Sequence, residues 1–179
     1  MKLLKYVMTS DIGLAPNPYF GICSLAVCTP NHKNARLCVD DWIVGHSTKA
    51  TGNKLIYAMR VTRILTMPEY FKEYPKKHPN PYGDQKQRCG DNFYYKSSGK
   101  WKRKPSPCHN NVRAFVKDQG KRVFLAEDEK CFWYFGGITD GKTTGFKEEF
   151  RELIQGRQGF SYVYDEDVIE RFTKWLTEY

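Results

Sequence analysis

No Cys-x-x-Cys pair, no His-Glu-x-x-His, no Gly-x-Ser-x-Gly and no apolar run near the ~20 residues of a membrane span occurs in these 179 residues. The absences exclude a clustered zinc site of the usual spacing, a zincin-type protease centre, a hydrolase nucleophile elbow and a transmembrane helix. Internal repeats and low-complexity runs are missing too, which excludes a solenoid. Strands and helices do not alternate, which argues against a doubly wound nucleotide fold. Met1-Lys2-Leu3-Leu4-Lys5 contains no long apolar stretch, so a soluble, cytoplasmic protein with reduced thiols is expected. The six cysteines are 23, 28, 38, 89, 108 and 131. Cys89 and Cys108 with His109 are a set that could converge on zinc, but without clustered spacing neither metal nor cofactor is expected. Cys23, Cys28 and Cys131 fall in apolar strands and read as packed free thiols.

What is present is one domain's length of chain, residues 1–179, with a marked charge asymmetry. Residues 1–126 hold 22 Lys and Arg against 8 Asp and Glu, a balance of +14, whereas residues 127–179 hold 7 against 12, a balance of −5. The expected organisation is a basic β-rich body over 1–137 and an acidic, helical segment over 138–179. A basic body favours a polyanionic partner, although an excess of Lys also serves solubility alone.

Strands are expected at Leu3–Met8, Ile22–Cys28, Trp42–Gly45 and Leu55–Thr62, with a short helix at Met67–Tyr74 that carries Pro68 in its first turn. Residues 75–111 read as a long irregular stretch in which Lys and Arg are interleaved with Tyr82, Phe93, Tyr94, Tyr95 and Trp101. That mixture offers phosphate attraction and stacking platforms, or else a solvated loop. Within it Asn92–Lys96 and Trp101 flank the turn Ser97-Ser98-Gly99. Arg122–Ala126 and Cys131–Phe135 read as a hairpin, and Gly141–Ile154 as helix-containing. Asp165–Tyr179 has the apolar spacing of a core-facing helix, with Asp165 able to cap it.

The segment Val39-Asp40-Asp41-Trp42-Ile43-Val44-Gly45-His46, followed by Lys54–Thr62, is expected to form adjacent strands. These would bring Trp42, His46, Tyr57 and Arg60 together to grip a flat heterocycle by stacking and hydrogen bonding. Asp11 and Asn17, in the loop Asp11–Pro18, are placed to read a base edge or to make turn bonds with their own backbone. Asp91 and Asn92 carry the same ambiguity ahead of Tyr94, whose neighbour Tyr95 points to the opposite face of an extended strand. As a proton-transfer group His46 would need a carboxylate, with Asp11, Asp41 and Asp91 as candidates, and no catalytic residue is assigned. Gly136-Gly137-Ile138-Thr139-Asp140-Gly141-Lys142-Thr143 fits the phosphate-loop pattern Gly-x-x-x-x-Gly-Lys-Thr. Too little sheet follows it to complete a phosphate-hydrolysing fold, so a Gly-rich turn is the competing account.

Taken together, Asp11-x-Gly13-x-Ala15-Pro16-Asn17-Pro18, Gly21-x-Cys23-x-Leu25-Ala26-x-Cys28, Asp41–Gly45, Leu55–Val61, Gly90-Asp91-Asn92-x-Tyr94 and Tyr134–Gly137 resemble the nucleotide modification associated domain 2 family over residues 1–137. The resemblance implies association with phage or bacterial systems that modify DNA bases or handle modified nucleotides, and implies no particular reaction. A more distant similarity runs to the PUA-like and EVE-like base-reading barrels, through the Asp-containing turn before Trp42–Gly45 and the strand Leu55–Thr62.

The expectation is therefore an α+β domain with a curved mixed β-sheet or partly closed PUA-like barrel, flanked by helices and ending in an amphipathic helix. It would bind a nucleobase, nucleotide or modified nucleic acid through Asp11, Asn17, Trp42, His46, Tyr57, Arg60, Asp91, Asn92, Tyr94 and Trp101. The alternatives are an enzyme modifying nucleotides or DNA bases, and a protein-binding phage accessory factor.

Overall fold

A computed structural model describes residues 1–28, 34–109, 112–119, 122–136 and 144–178. The strands are β1 (Leu3–Met8), β2 (Cys23–Leu25), β3 (Trp42–Ser47), β4 (Lys54–Arg60), β5 (Arg63–Thr66), β6 (Tyr94–Ser97), β7 (Lys100–Arg103), β8 (Arg122–Ala126), β9 (Phe132–Tyr134), β10 (Thr144–Gly145) and β11 (Phe160–Val163). The α-helices are α1 (Met67–Glu73), α2 (Gln85–Arg88), α3 (Val112–Asp118) and α4 (Glu166–Thr177).

A six-stranded mixed sheet runs β10-β4-β3-β1-β11, with β9 also paired to β4. Its β1 and β3 are parallel and end side by side, Met8 opposite Ser47. A second sheet, β2-β8-β5, lies against the first, and β6 with β7 forms a separate hairpin. Period-two alternation assigns each side chain to a layer. Leu4, Tyr6, Ile43, Tyr57 and Met59 pack against Cys23, Leu25, Phe124 and Ala126 of the second sheet. On the opposite face, Leu3, Val44, Leu55 and Ala58 meet Val168, Ile169, Phe172 and Leu176 of α4. The outer face of the second sheet, Val123 and Leu125, meets Met67 and Tyr70 of α1 together with Phe93 and Tyr94. The order is helix, sheet, sheet, then helix with hairpin.

The mixed α+β character holds, and among the described residues no strand pairing closes a barrel. Closure is replaced by a corner: between β4 and β5 only Val61 and Thr62 intervene. Val61 donates to Asp41 O, just ahead of β3 in the first sheet, and Thr62 to Leu125 O of the second. The expected hairpin of Arg122–Ala126 with Cys131–Phe135 does not form, because β8 pairs with β2 and β5 while β9 pairs with β4. The 3-10 turn Glu129–Cys131, capped by Asp128, carries the chain from one sheet to the other. Beyond residue 143, the chain contributes β10 and β11 to the main sheet, and a 3-10 segment at Glu148–Leu153 lies within the stretch Gly141–Ile154 expected to contain helix. Helix α4 starts as expected, with Asp165 Oδ1 accepting the Val168 amide at 3.2 Å. Among the described residues no helix is long and apolar enough to cross a membrane.

Candidate functional site

The ten residues singled out above do not share a pocket. Opposed residues of an antiparallel pair face the same side, and Trp42 is opposite Arg60 whereas Gly45 is opposite Tyr57. Trp42 and Arg60 therefore lie on the α4 face, where Trp133 stacks on Trp42 at 5.9 Å and borders an open groove of about 470 Å³ with Lys174. Arg60 pairs with Asp40 at 3.5 Å and donates to Cys131 Sγ at 3.2 Å. Tyr57 is sealed on the other face, its hydroxyl 2.8 Å from that of Tyr6, and burial holds both phenols well above their ordinary pKa. A register shift between Gly45 and His46 marks a bulge, and His46 is fully buried on the α4 side beside Phe146.

The loop residues form a structural lock. Lys77 is 1 % exposed, and its ammonium donates to Asn17 O (2.9 Å), Asn17 Oδ1 (2.7 Å) and Ile22 O (2.6 Å). Asn17 Nδ2 donates to Gly13 O and Cys89 O. Asp91 accepts from Ser24 Oγ and Tyr70 OH, each at 2.8 Å, while Asn92 Nδ2 donates to Tyr70 O and Tyr74 O. Burial raises the pKa of Asp91 and lowers that of Lys77 to about 8, and each charge counters the other's shift. Gly90 is required by close approach, since a Cβ there would stand 2.6 Å from Lys77 O and Pro79 N. Asn17, Asp91 and Asn92 are thus buried and hydrogen-bonded within the lock. Asp11 accepts from Tyr134 OH at 2.7 Å and from its neighbour Gly13 N at 3.0 Å. Trp101 is half-buried at the hairpin beneath Lys96, whose Nζ is 5.0 Å from its ring. Of the phosphate-loop pattern, residues 137–143 lie outside the described residues.

A cleft of about 360 Å³ opens instead where β1 ends, walled by Tyr6, Met8, Thr9, Ser10, Cys108 and His109, with Leu25 contributing apolar surface. Its size suits a nucleoside-scale ligand, since small-molecule sites begin near ~300 Å³. His109 Nε2 lies 2.9 Å from Oδ2 of Asp118, which is 1 % exposed and also accepts from Tyr94 OH at 3.4 Å. The carboxylate accepts the Nε2–H, and Nδ1 makes no hydrogen bond among the described residues. Arg103 Nη1 donates to His109 O at 3.3 Å, which ties the basic hairpin to this wall. Tyr94, one of the ten, thus acts behind the cleft rather than in it.

The nucleotide modification associated domain 2 model matches residues 1–179. The chain belongs to that family. The match extends past the 137 residues that carry the resemblance and takes in β11 and α4. No curated protein and no solved structure gives a significant match. For a member of the nucleotide modification associated domain 2 family, the placement of the motif residues is informative. Asn17 and Gly90–Asn92 clamp the loop to the body, whereas Ala15, Leu25 and Cys28 of the motifs line the cleft together with Thr9, Ser10, Cys108 and His109 from outside them.

The sulfurs of Cys89 and Cys108 come within 3.4 Å, but burial and the adjoining Cys108 thiol push Cys89 up to about 12, which keeps it protonated at neutral pH. Among the described residues no group of three His, Cys, Asp or Glu side chains is gathered for a metal. The His109–Asp118 pair was not legible beforehand, because a spacing of nine residues across the start of α3 is no recurrent signature. The nearest signal was His109 beside Cys108.

Proposed function

We propose that the protein binds a nucleobase, within a nucleotide or a modified nucleic acid, in the cleft at the end of β1. One observation carries the reading: a cleft of nucleoside size pairs an apolar side, Met8 and Leu25, with hydroxyls of Thr9 and Ser10 and with an imidazole held by a buried carboxylate. A flat heterocycle needs both, since its faces seek apolar contact and its edge seeks donors and acceptors. The exposed cations Lys86, Arg88, Lys100 and Lys102, on the elements that flank the Cys108–His109 wall, draw in a polyanion. The family's nucleotide-modification context supports the same ligand class.

The His109–Asp118 pair favours a second reading, in which His109 moves a proton on the bound base. In that case His109→Gln abolishes turnover and leaves binding within a few fold. The binding reading is tested by thermal shift with deoxynucleosides, nucleotides and base-modified oligonucleotides, alongside mass spectrometry of co-purifying small molecules. A ligand at a hundred times its Kd adds about 2.7 kcal/mol, which raises Tm by roughly 5–10 °C for a chain of this length. The shift should vanish in Ser10→Trp, which fills the cleft mouth. No shift with any of these ligands refutes the proposal.

A further inference from the structure

Next to the base cleft lies a second cleft of about 280 Å³, and the two share Thr9 and Gln158 as a common wall. Its lining includes Thr48, Lys49, Asn53 and Arg157. Lys49 and Arg157 are exposed, and among the described residues neither has a carboxylate within ion-pair range. We infer that this second cleft holds the phosphate of the ligand whose base occupies the first. The inference rests on the base-cleft reading for its register, and on the geometry of the second cleft for its chemistry.

That geometry is set by the parallel pair. β1 and β3 end level with each other, and the loops that follow, beginning at Thr9 and Thr48, leave a crevice beyond the strands' carboxyl ends. Ligands of sheets with parallel strands gather at such crevices. Both loops are held in place. Ser47 Oγ accepts the Lys54 amide, and Thr48 O accepts the Thr51 and Asn53 amides, which fixes the backbone that carries Lys49. The opposite bank, Ile154–Gln158, is fixed by His46 Nε2, which accepts the Gln155 amide at 2.7 Å. Lys5 Nζ donates to Ile154 O at 3.1 Å, and Ser161 Oγ donates to Gln155 Oε1 at 2.6 Å. Gly156 is exposed between these anchors, and a Cβ there would meet nothing within 4 Å. Two cations of long reach over a rigid, hydroxyl-bearing floor form the chemistry that captures a phosphate dianion or diester. His46 is thereby a positioning residue.

The test compares the four deoxynucleosides, their 5′-monophosphates, inorganic pyrophosphate and a short single-stranded deoxyoligonucleotide, by calorimetry on wild type and on Lys49→Gln/Arg157→Gln. The expected result is a preference for monophosphate over nucleoside of roughly tenfold or more, lost in the double variant while nucleoside affinity holds. Preference for the oligonucleotide with a steep salt slope, lost in the same variant, identifies a polymer diester as the source. If nucleosides fail to bind but pyrophosphate binds and is lost in the variant, the phosphate site stands and the base-cleft reading falls. Equal affinity for nucleoside and nucleotide with no pyrophosphate binding overturns the inference, as does a preference that survives both substitutions.

Discussion

Replacing Lys77 by Met removes an ammonium from the interior of the loop lock and leaves three acceptors behind. Asn17 O, Asn17 Oδ1 and Ile22 O would each lose a partner, and the buried Asp91 carboxylate would lose the nearest positive charge. Breaking one side of a buried charge arrangement costs about 3–5 kcal/mol, a large share of the ~5–15 kcal/mol by which a domain is stable. Lys77→Met should therefore lower Tm by roughly 6–20 °C, at about 2–4 °C per kcal/mol. Asp91→Asn should also destabilise, yet the double variant should cost less than the sum by about 1–3 kcal/mol, because each single change orphans what the other removes. Urea unfolding followed by tryptophan fluorescence measures all four corners of this cycle. pH supplies a second readout. Lys77 is lowered to about 8 in the folded chain from an ordinary 10.5, so between those values the unfolded chain holds a proton the folded one releases. Stability should rise with pH across that window by up to about 1.4 kcal/mol per pH unit, and Lys77→Met should lose this rise. A loss under about 1 kcal/mol, or strict additivity with Asp91→Asn, would refute the reasoning.

His46 accepts a backbone amide through Nε2 and makes its Nδ1 bond to Ser47 O, so the folded ring is neutral, and burial lowers its pKa below 6.5. Below 6.5 the unfolded chain takes up a proton that the folded chain resists. Stability should fall on acidification by up to about 1.4 kcal/mol per pH unit until the folded ring protonates, and His46→Gln should flatten that limb in a pH series of urea melts. Gly45→Ala would put a Cβ 2.4 Å from Tyr57 Cε1 and 2.6 Å from Met8 Sδ. Overpacking of this kind should cost about 1–3 kcal/mol, read as a shift of the urea midpoint at constant m-value.

Elements fixed by local chemistry were legible in the sequence. Pro68 and Asp165 announced α1 and α4, and the capping box of Thr66 with Glu69 confirms how the first is started. Ser98 and Gly99 take the positive φ values of 50° and 74° that the tight turn between β6 and β7 demands. What a short window cannot contain is which sheet a strand joins and which side of it faces what. Alternation placed Tyr57 and Arg60 on opposite faces of β4, yet proximity in sequence suggested that they act together. The same limit made neighbours of β8 and β9, which occupy different layers. Asp91 and Asn17, polar residues in Gly- and Pro-rich loops, have the look of ligand contacts, and only the path of Lys77 between them reveals a closed lock. His109 and Asp118 gain their meaning from α3 folding back, a tertiary event.

The interior position of β1 has a consequence for the chain as it is made. One flank of this strand waits for β3, but the other, Leu3 to Tyr6, is completed only by residues 160–163. During synthesis that flank stays bare while most of the polypeptide emerges, a template for stray pairing with other nascent chains. Lys5, midway along it, is a charged residue of the type that deters such encounters, and its ammonium later settles on Glu152 O and Ile154 O once that segment arrives. A ribosome-bound intermediate lacking β11 should therefore be the species most dependent on chaperones.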